Sequence, residues 1–248
     1  IETNINRSIN QSNPCGRVIC EGERGYHSLV SIQTLFSFNI IQSIWLYLLV
    51  LVTTLIFLLQ RKAFTMAWRC SASSNAGLID NMAKAEMIKS ESVIKAMKKV
   101  DRANYAPDRP YEDSPQPIGY QATISAPHMH AHAVQHLLPN ANNPNAKILD
   151  VGCGSGYLAV VFARLNPTSK IYAIDYIPEL VELSRRNIMK ADSDLISSNQ
   201  VKLIAGNGWK GFSEGAPYDV IHVGAAAASL PKELKDQLAI NGKMIIPI

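Results

Sequence analysis

Hydrophobic residues follow two patterns along the chain. Between residues 75 and 100 they recur at helical spacing, which predicts helices, and Ser90 is the predicted N-cap of the later one. From residue 148 onward they form short, mostly apolar runs between polar segments, which are typical of buried parallel strands. The runs are Ile148–Val151, Ile171–Ile174, Val201–Ile204, 218–223 and 243–248. The order of elements predicts an α/β fold with a doubly wound, Rossmann-like sheet.

A longer apolar segment lies near the start of the chain. Residues 40–59 contain no charged residue and are mostly Leu, Ile, Val and Phe, which predicts a transmembrane helix. Arg61 and Lys62 follow directly, so the positive-inside rule places the part after them in the cytosol. The alternative is that residues 1–65 are not translated, because Met66 is itself a plausible initiator.

These patterns divide the chain into a leader, residues 1–65, and a folded domain, residues 66–248. Hydrophobic residues make up 47% of the chain and charged residues 18%, enough apolar material for one core. The net charge of +4 gives no indication of nucleic-acid binding. The four cysteines have neither metal-site nor disulfide spacing, so we expect no metal and a reducing, cytoplasmic environment for the domain.

The first of the short apolar runs leads into a glycine-rich turn. Gly152, Gly154 and Gly156 follow the strand, and a helix is predicted over 157–165. Asp175 ends the next strand, nineteen residues after Gly156. An acidic residue at that distance is placed to accept both hydroxyls of a ribose. The Gly-x-Gly-x-Gly spacing differs from the dinucleotide pattern, so we predict a nucleotide-type cofactor without a diphosphate cradle.

Residues Asp150–Gly156 resemble motif I of class I methyltransferases, which bind S-adenosylmethionine. A more specific resemblance is carried by Tyr111, Asp113–Pro115, Gln121–Ala131 and Asp219–Ala227, which are similar to the protein-L-isoaspartate (D-aspartate) O-methyltransferase family. The resemblance covers residues 66–248. It implies methyl transfer to the α-carboxylate of isoaspartyl, and also D-aspartyl, residues in damaged proteins and peptides.

The resemblance also implies a set of site residues. Ser125 matches the active-site serine, and we expect it to donate a hydrogen bond to the substrate carboxylate. Asn207 departs from the family, which has aspartate there, and we expect weaker adenine recognition by about 1 kcal/mol. The expected cofactor-binding residues are Ala122, Thr123, Ile124, Ser125, His130, Asp150, Gly152, Gly154, Gly156, Asp175, Tyr176, Asn207 and Gly208.

Three histidines allow more than one interpretation. His128 and His130 are either site residues or a pair that caps the start of a helix, and no further ligands are spaced for zinc. His222 ends a predicted strand and is either a wall of the site or an ordinary core histidine.

The resemblance leaves competing predictions for the whole chain. Family sheets carry two strands beyond the run 243–248, so we expect a C-terminally truncated sequence with an exposed apolar edge. We expect a monomer that acts on isoaspartyl proteins, with membrane anchoring through 40–59 if the leader exists. The alternative function is a membrane-tethered cofactor-binding protein without catalysis, and a methyltransferase for small acids is a weaker third hypothesis.

Overall fold

A computed structural model describes residues 45–54 and 70–248 of the chain. Contacts divide the chain into two units, Ile1–Leu58 and Leu59–Ile248. Helix α1 covers residues 45–54 in the first unit. Within the described ranges, no helix has both the length and the apolar character that a membrane crossing requires. The rest of the predicted span 40–59 and the predicted boundary at residue 65 lie outside the described residues, so both stay predictions.

The second unit is built around a five-stranded parallel sheet in the order β5-β4-β3-β6-β7. Its strands are β3 (Lys147–Val151), β4 (Lys170–Asp175), β5 (Val201–Ala205), β6 (Tyr218–Val223) and β7 (Leu238–Ile245). The chain adds β4 and β5 on one side of β3 and then returns to place β6 on the other side. Ligands of such sheets bind at the carboxyl ends of the strands where this reversal occurs, here between β3 and β6.

Helices cover the sheet and bury alternating side chains of its strands, except that the first two helices of the unit pack on other helices. They are α2 (Asn75–Lys84), α3 (Glu91–Lys99), α4 (Pro127–Ala141), α5 (Tyr157–Leu165), α6 (Pro178–Ala191), α7 (Ser193–Ser197) and α8 (Lys232–Asp236). Ile148 of β3 belongs to the larger core cluster, whereas its neighbour Leu149 belongs to a smaller cluster with Leu234 of α8. Successive strand residues point to opposite faces, so both faces of β3 are covered. This arrangement confirms the predicted α/β fold.

A small antiparallel hairpin precedes the sheet. It consists of β1 (Gln116–Gly119) and β2 (Ala122–Ile124). Tyr120 and Gln121 join the strands, both with positive φ, as in the tight turns that suit hairpins. Because β2 ends immediately before Ser125, the hairpin fixes where the backbone of that residue lies.

One predicted strand start needs correction, and one predicted N-cap lacks its side-chain hydrogen bond. The last strand begins at Leu238 and not at Lys243, because Asn241 with positive φ and Gly242 interrupt the apolar pattern without ending the strand. Ser90 is the N-cap residue of α3, as predicted, but its hydroxyl pairs with the Ser92 hydroxyl at 2.9 Å and makes no side-chain cap. Neither difference changes the topology.

Candidate active site

The glycine-rich loop after β3 turns tightly against the end of β4. The amides of Gly152 and Cys153 both donate to the backbone oxygen of Ile174, and the Gly154 amide donates to Asp175. Gly154 has a φ of +53°, and a Cβ there would lie 3.2 Å from Ile118, so a larger residue would strain the turn. These loop amides are already used by the protein, which fits the prediction that there is no diphosphate cradle.

A solvent-open cleft lies beside this loop, at the carboxyl ends of β3 and β6. Its walls come from β2 with Ser125 after it, the starts of α4 and α5, the glycine loop and the end of β6. The lining residues are Thr123, Ile124, Ser125, His130, Asp150, Gly152, Cys153, Gly154, Ser155, Tyr157, Leu158, His222 and Gly224. The cleft therefore lies where the strand order reverses.

Asp150 and His222 form the polar floor of the cleft. Parallel pairing places them directly opposite each other on β3 and β6, and His222 Nδ1 lies 2.7 Å from Asp150 Oδ1. Asp150 is only 1% exposed, and its second oxygen, Oδ2, is buried without a partner in the described part of the chain. An unpaired buried carboxylate oxygen is costly, so Oδ2 is suited to accept hydrogen bonds from a ligand. The wall interpretation of His222 is confirmed.

Asp175 supports the loop as well as the expected ribose site. Its Oδ2 accepts from the Gly154 amide at 2.9 Å, and its Oδ1 accepts from the Ile177 amide at 3.1 Å. An ionised carboxylate has about four acceptor positions, so each oxygen keeps one for a ligand hydroxyl. Asp175 is buried but does not line the cleft itself.

Residues 122–125, the Ser125 strip, are held from behind by Arg102, which the sequence did not indicate. Arg102 Nη2 donates to the backbone oxygen of Ser125 at 2.8 Å. Among the described residues, the Ser125 hydroxyl has no hydrogen-bond partner. The side chain is therefore free to donate to a substrate.

His130 faces the same cleft from the first turn of α4. Its ring centre lies 5.2 Å from that of Tyr157, and its Nδ1 lies 3.4 Å from Arg102 Nη1. Burial, and then the positive charge of Arg102, hold the pKa of His130 well below its usual value. His130 is therefore neutral at pH 7.

His128 has a different role. Asp113, whose carboxylate is fully buried, accepts from the His128 backbone amide at 3.0 Å and lies 2.8 Å from its Nδ1. The carboxylate thus caps α4, whose own N-cap residue, Ala126, has no side-chain cap. The capping interpretation of the two histidines is wrong, because the capping group is Asp113, and within the described residues neither ring bonds to a backbone group. In residues 45–54 and 70–248 no three His, Cys, Asp or Glu side chains are grouped to hold a metal.

The structure does not place every predicted site residue at the cleft. Thr123, Ile124, Ser125, His130, Asp150, Gly152 and Gly154 line it together. Ala122, Gly156, Asp175, Tyr176, Asn207 and Gly208 lie outside its lining, and their roles stay predictions.

Some of these outlying residues have structural contacts of their own. Gly156 starts α5, and a Cβ there would lie 3.2 Å from Ser184 of α6. A Cβ at Gly208 would collide with Val151. Asn207 caps a short 3-10 turn by accepting from the Trp209 amide at 3.0 Å, which leaves one acceptor position on its carbonyl. Tyr176 is 75% exposed beside Asp175, so its ring face is available for stacking on a nucleobase.

These residues fit an S-adenosylmethionine site. The unpartnered Asp150 Oδ2 suits the amino group of the methionine part, and the free acceptor positions of Asp175 suit ribose hydroxyls. The sheet order, the glycine-rich loop and the acidic end of β4 together define a class I, S-adenosylmethionine-dependent methyltransferase.

Comparison with known proteins makes the assignment specific. Residues 73–248 match the family model of protein-L-isoaspartate(D-aspartate) O-methyltransferase, and the chain belongs to this family. A protein-L-isoaspartate O-methyltransferase of Caenorhabditis elegans is 50% identical over 184 residues, which cover 74% of this chain and 81% of that protein.

Solved structures agree with this assignment. A protein-L-isoaspartate O-methyltransferase from Plasmodium falciparum, in complex with S-adenosyl-L-homocysteine, is 36% identical with a TM-score of 0.67. The match covers 71% of this chain and 84% of that one. A second protein-L-isoaspartate O-methyltransferase structure has a TM-score of 0.58 and covers 68% of this chain and 53% of that one. Because it is 23% identical, it shows the fold alone.

Proposed function

We propose that this protein transfers a methyl group from S-adenosylmethionine to the α-carboxylate of L-isoaspartyl, and also D-aspartyl, residues in damaged proteins and peptides. The methyl ester then collapses to a succinimide, which begins repair of the backbone. The observation that carries the proposal is one cleft that holds both the unpartnered Asp150 carboxylate oxygen and the free Ser125 hydroxyl. It therefore offers a cofactor contact and a substrate contact side by side.

The nucleophile of this reaction needs no general base. An α-carboxyl group has a pKa of about 3.5 and is already ionised at pH 7. The cofactor supplies an activated methyl group on a sulfonium that leaves readily. The protein therefore has to orient the carboxylate and exclude competing water.

Ser125 is placed to orient that carboxylate by donating a hydrogen bond. The two histidines of the cleft use Nδ1 for other partners, His130 beside Arg102 and His222 with Asp150. No described hydrogen bond joins Ser125 to either ring, so nothing in the described part of the chain prepares the serine as a nucleophile. We propose a donor role for its hydroxyl.

The proposal is tested with two peptides that differ only in isoaspartate or aspartate at one position. Incubation with labelled S-adenosylmethionine should give a base-labile label in the isoaspartyl peptide alone. Binding of S-adenosylhomocysteine without any label transfer would instead support the alternative, a cofactor-binding protein without catalysis.

Ser125→Ala should lower kcat for the isoaspartyl peptide on the order of 100-fold, because one positioned donor is removed from the reacting centre. Ser198→Ala is the matched control, because Ser198 is exposed at the end of α7 and should keep full activity. Unchanged kcat in Ser125→Ala would contradict the donor role.

We also propose that the catalytic unit is cytosolic and acts as a monomer, with membrane attachment through residues 40–59 where the leader is present. Arg61 and Lys62, directly after the apolar segment, support this orientation. Protease digestion of sealed membranes from cells expressing the full chain tests it, because a cytosol-facing catalytic unit should be degraded without detergent.

A further inference from the structure

Arg102 is an unusual residue for the interior of this protein. It lies in the short 3-10 turn Arg102–Asn104 after α3 and is completely buried. Among the described residues no carboxylate forms an ion pair with it. Burial lowers the pKa of Arg102, but an arginine remains charged in proteins. A buried cation without an ion-pair partner is normally unfavourable for folding.

The guanidinium group contacts three residues that line the cleft. Its Nη2 donates to the Ser125 backbone oxygen at 2.8 Å, and its Nη1 lies 3.4 Å from His130 Nδ1. Its central carbon lies 5.3 Å from the ring centre of Tyr157, within range of a cation–π contact. Its Nε is buried without a partner in the described residues. The side chain thus contacts residues of the cleft wall while one of its own donors stays unsatisfied.

The contact with His130 also selects one form of the imidazole. An arginine has only donors, so His130 Nδ1 has to be the acceptor in this contact. In the neutral ring the proton is then on Nε2, which becomes a donor. The adjacent positive charge opposes protonation of Nδ1. Arg102 therefore selects the tautomer of a residue that lines the cleft and, after burial, favours its neutral form.

We infer that Arg102 is a positioning residue for methyl transfer, which holds the Ser125 strip in place and keeps His130 as a neutral Nε2–H donor. This inference rests on the proposed function. Arg102 does not line the cleft, so it acts through its two neighbours and not by touching the substrate. The substrate carboxylate then meets donors whose positions are already set.

A purely structural role predicts different behaviour. If Arg102 mainly stabilised the fold, Arg102→Met would lower the unfolding midpoint and weaken cofactor binding and turnover together. If it mainly positions the site, an apolar chain of similar length relieves the buried charge and the unsatisfied Nε. The folded state and binding of S-adenosylhomocysteine should then be retained while turnover falls.

The experiment uses the full chain with Arg102→Met, Arg102→Lys and the control Arg164→Met. Arg164 binds Asp192 and Asp194 away from the cleft, so its loss should lower the thermal midpoint without changing kcat. For Arg102→Met we expect kcat on the isoaspartyl peptide to fall on the order of 100-fold, because misplacement of positioned groups has effects of this size. Arg102→Lys keeps the charge but not the planar fork, so its kcat should be intermediate.

A spectroscopic readout separates this inference from the proposed function. Nitrogen-15 NMR of the imidazole, recorded without substrate, should show His130 as the Nε2–H tautomer in the wild type. Arg102→Met should shift the tautomer balance. No activity of the wild type would refute the proposed function. The His130 tautomer would still show whether Arg102 controls the form of that ring.

Wild-type kcat in a folded Arg102→Met, or an unchanged His130 tautomer, would overturn the inference. If Arg102→Met does not fold, the kcat and cofactor affinity of Arg102→Lys test the inference instead. An intermediate kcat with unchanged cofactor affinity supports positioning, and wild-type kcat overturns it.

Discussion

Replacing Asp150 by asparagine separates cofactor binding from folding. The substitution keeps the size of the side chain and an oxygen that can accept from His222 Nδ1, now 2.7 Å from Asp150 Oδ1. It removes the charge of a side chain that is 1% exposed and the acceptor capacity of the unpartnered Oδ2. If Oδ2 receives the amino group of the cofactor, the variant loses a hydrogen bond between charged groups.

The expected magnitude follows from that one contact. A hydrogen bond to a charged group contributes about 1.5 to 3 kcal/mol, which corresponds to about 10- to 100-fold in affinity. We therefore expect Asp150→Asn to bind S-adenosylhomocysteine about 10- to 100-fold more weakly. Stability should fall little, because the native protein without ligand gains nothing from the buried, unpaired oxygen.

Isothermal titration with S-adenosylhomocysteine measures the affinity, and urea unfolding measures the stability. Asp219→Asn is a matched control on β6, because Asp219 accepts from the Lys147 amide at the opposite end of the sheet. It should alter stability without altering affinity. Wild-type affinity in Asp150→Asn would refute the assignment of Oδ2 to the cofactor.

Other predictions concern the loop, the pH response and the adenine side of the site. Gly156→Ala should lower the free energy of unfolding by at least about 1 to 2 kcal/mol, because φ is +84° and the new Cβ would lie 3.2 Å from a carbon of α6. Wild-type stability in urea unfolding would contradict this. His130 is held neutral by burial and by Arg102, so its folded pKa is below the unfolded value. Stability from this group is complete above about pH 6.5 and falls as pH decreases, by up to about 1.4 kcal/mol per pH unit, and His130→Gln should flatten that dependence in urea titrations. Asn207→Asp keeps the cap on the Trp209 amide and should raise cofactor affinity about fivefold, about 1 kcal/mol, whereas unchanged affinity would place residue 207 outside the adenine contact.

The sequence predicted the sheet well because its central strands, β3, β4 and β6, are buried on both faces. Such strands appear as mostly apolar runs, and so does the edge strand β5, so these four strands were located within a residue or so. β7 was placed too late because Asn241 and Gly242 fall inside it, and a register irregularity between β6 and β7 accommodates them. A sequence pattern cannot distinguish such an irregular strand from a turn followed by a shorter strand.

The site was only partly predictable for a similar reason. Ser125, Asp150 and Gly154 lie in contiguous motifs, so local sequence was sufficient to find them. Arg102 lies in a short turn without periodicity, and its importance depends on contacts with residues more than twenty positions away. Asp113 carried a signal only as part of the family resemblance, and its capping of α4 becomes visible in three dimensions.

The central claim is that this protein begins the repair of isoaspartyl residues. The most direct measurement is a long incubation of one isoaspartyl peptide with the protein and excess S-adenosylmethionine, followed by chromatographic separation of the isomers. The account predicts that the isoaspartyl form decreases and the normal aspartyl form accumulates through the succinimide, only when S-adenosylmethionine is present. An isoaspartyl fraction that stays unchanged while the protein binds the cofactor would contradict it.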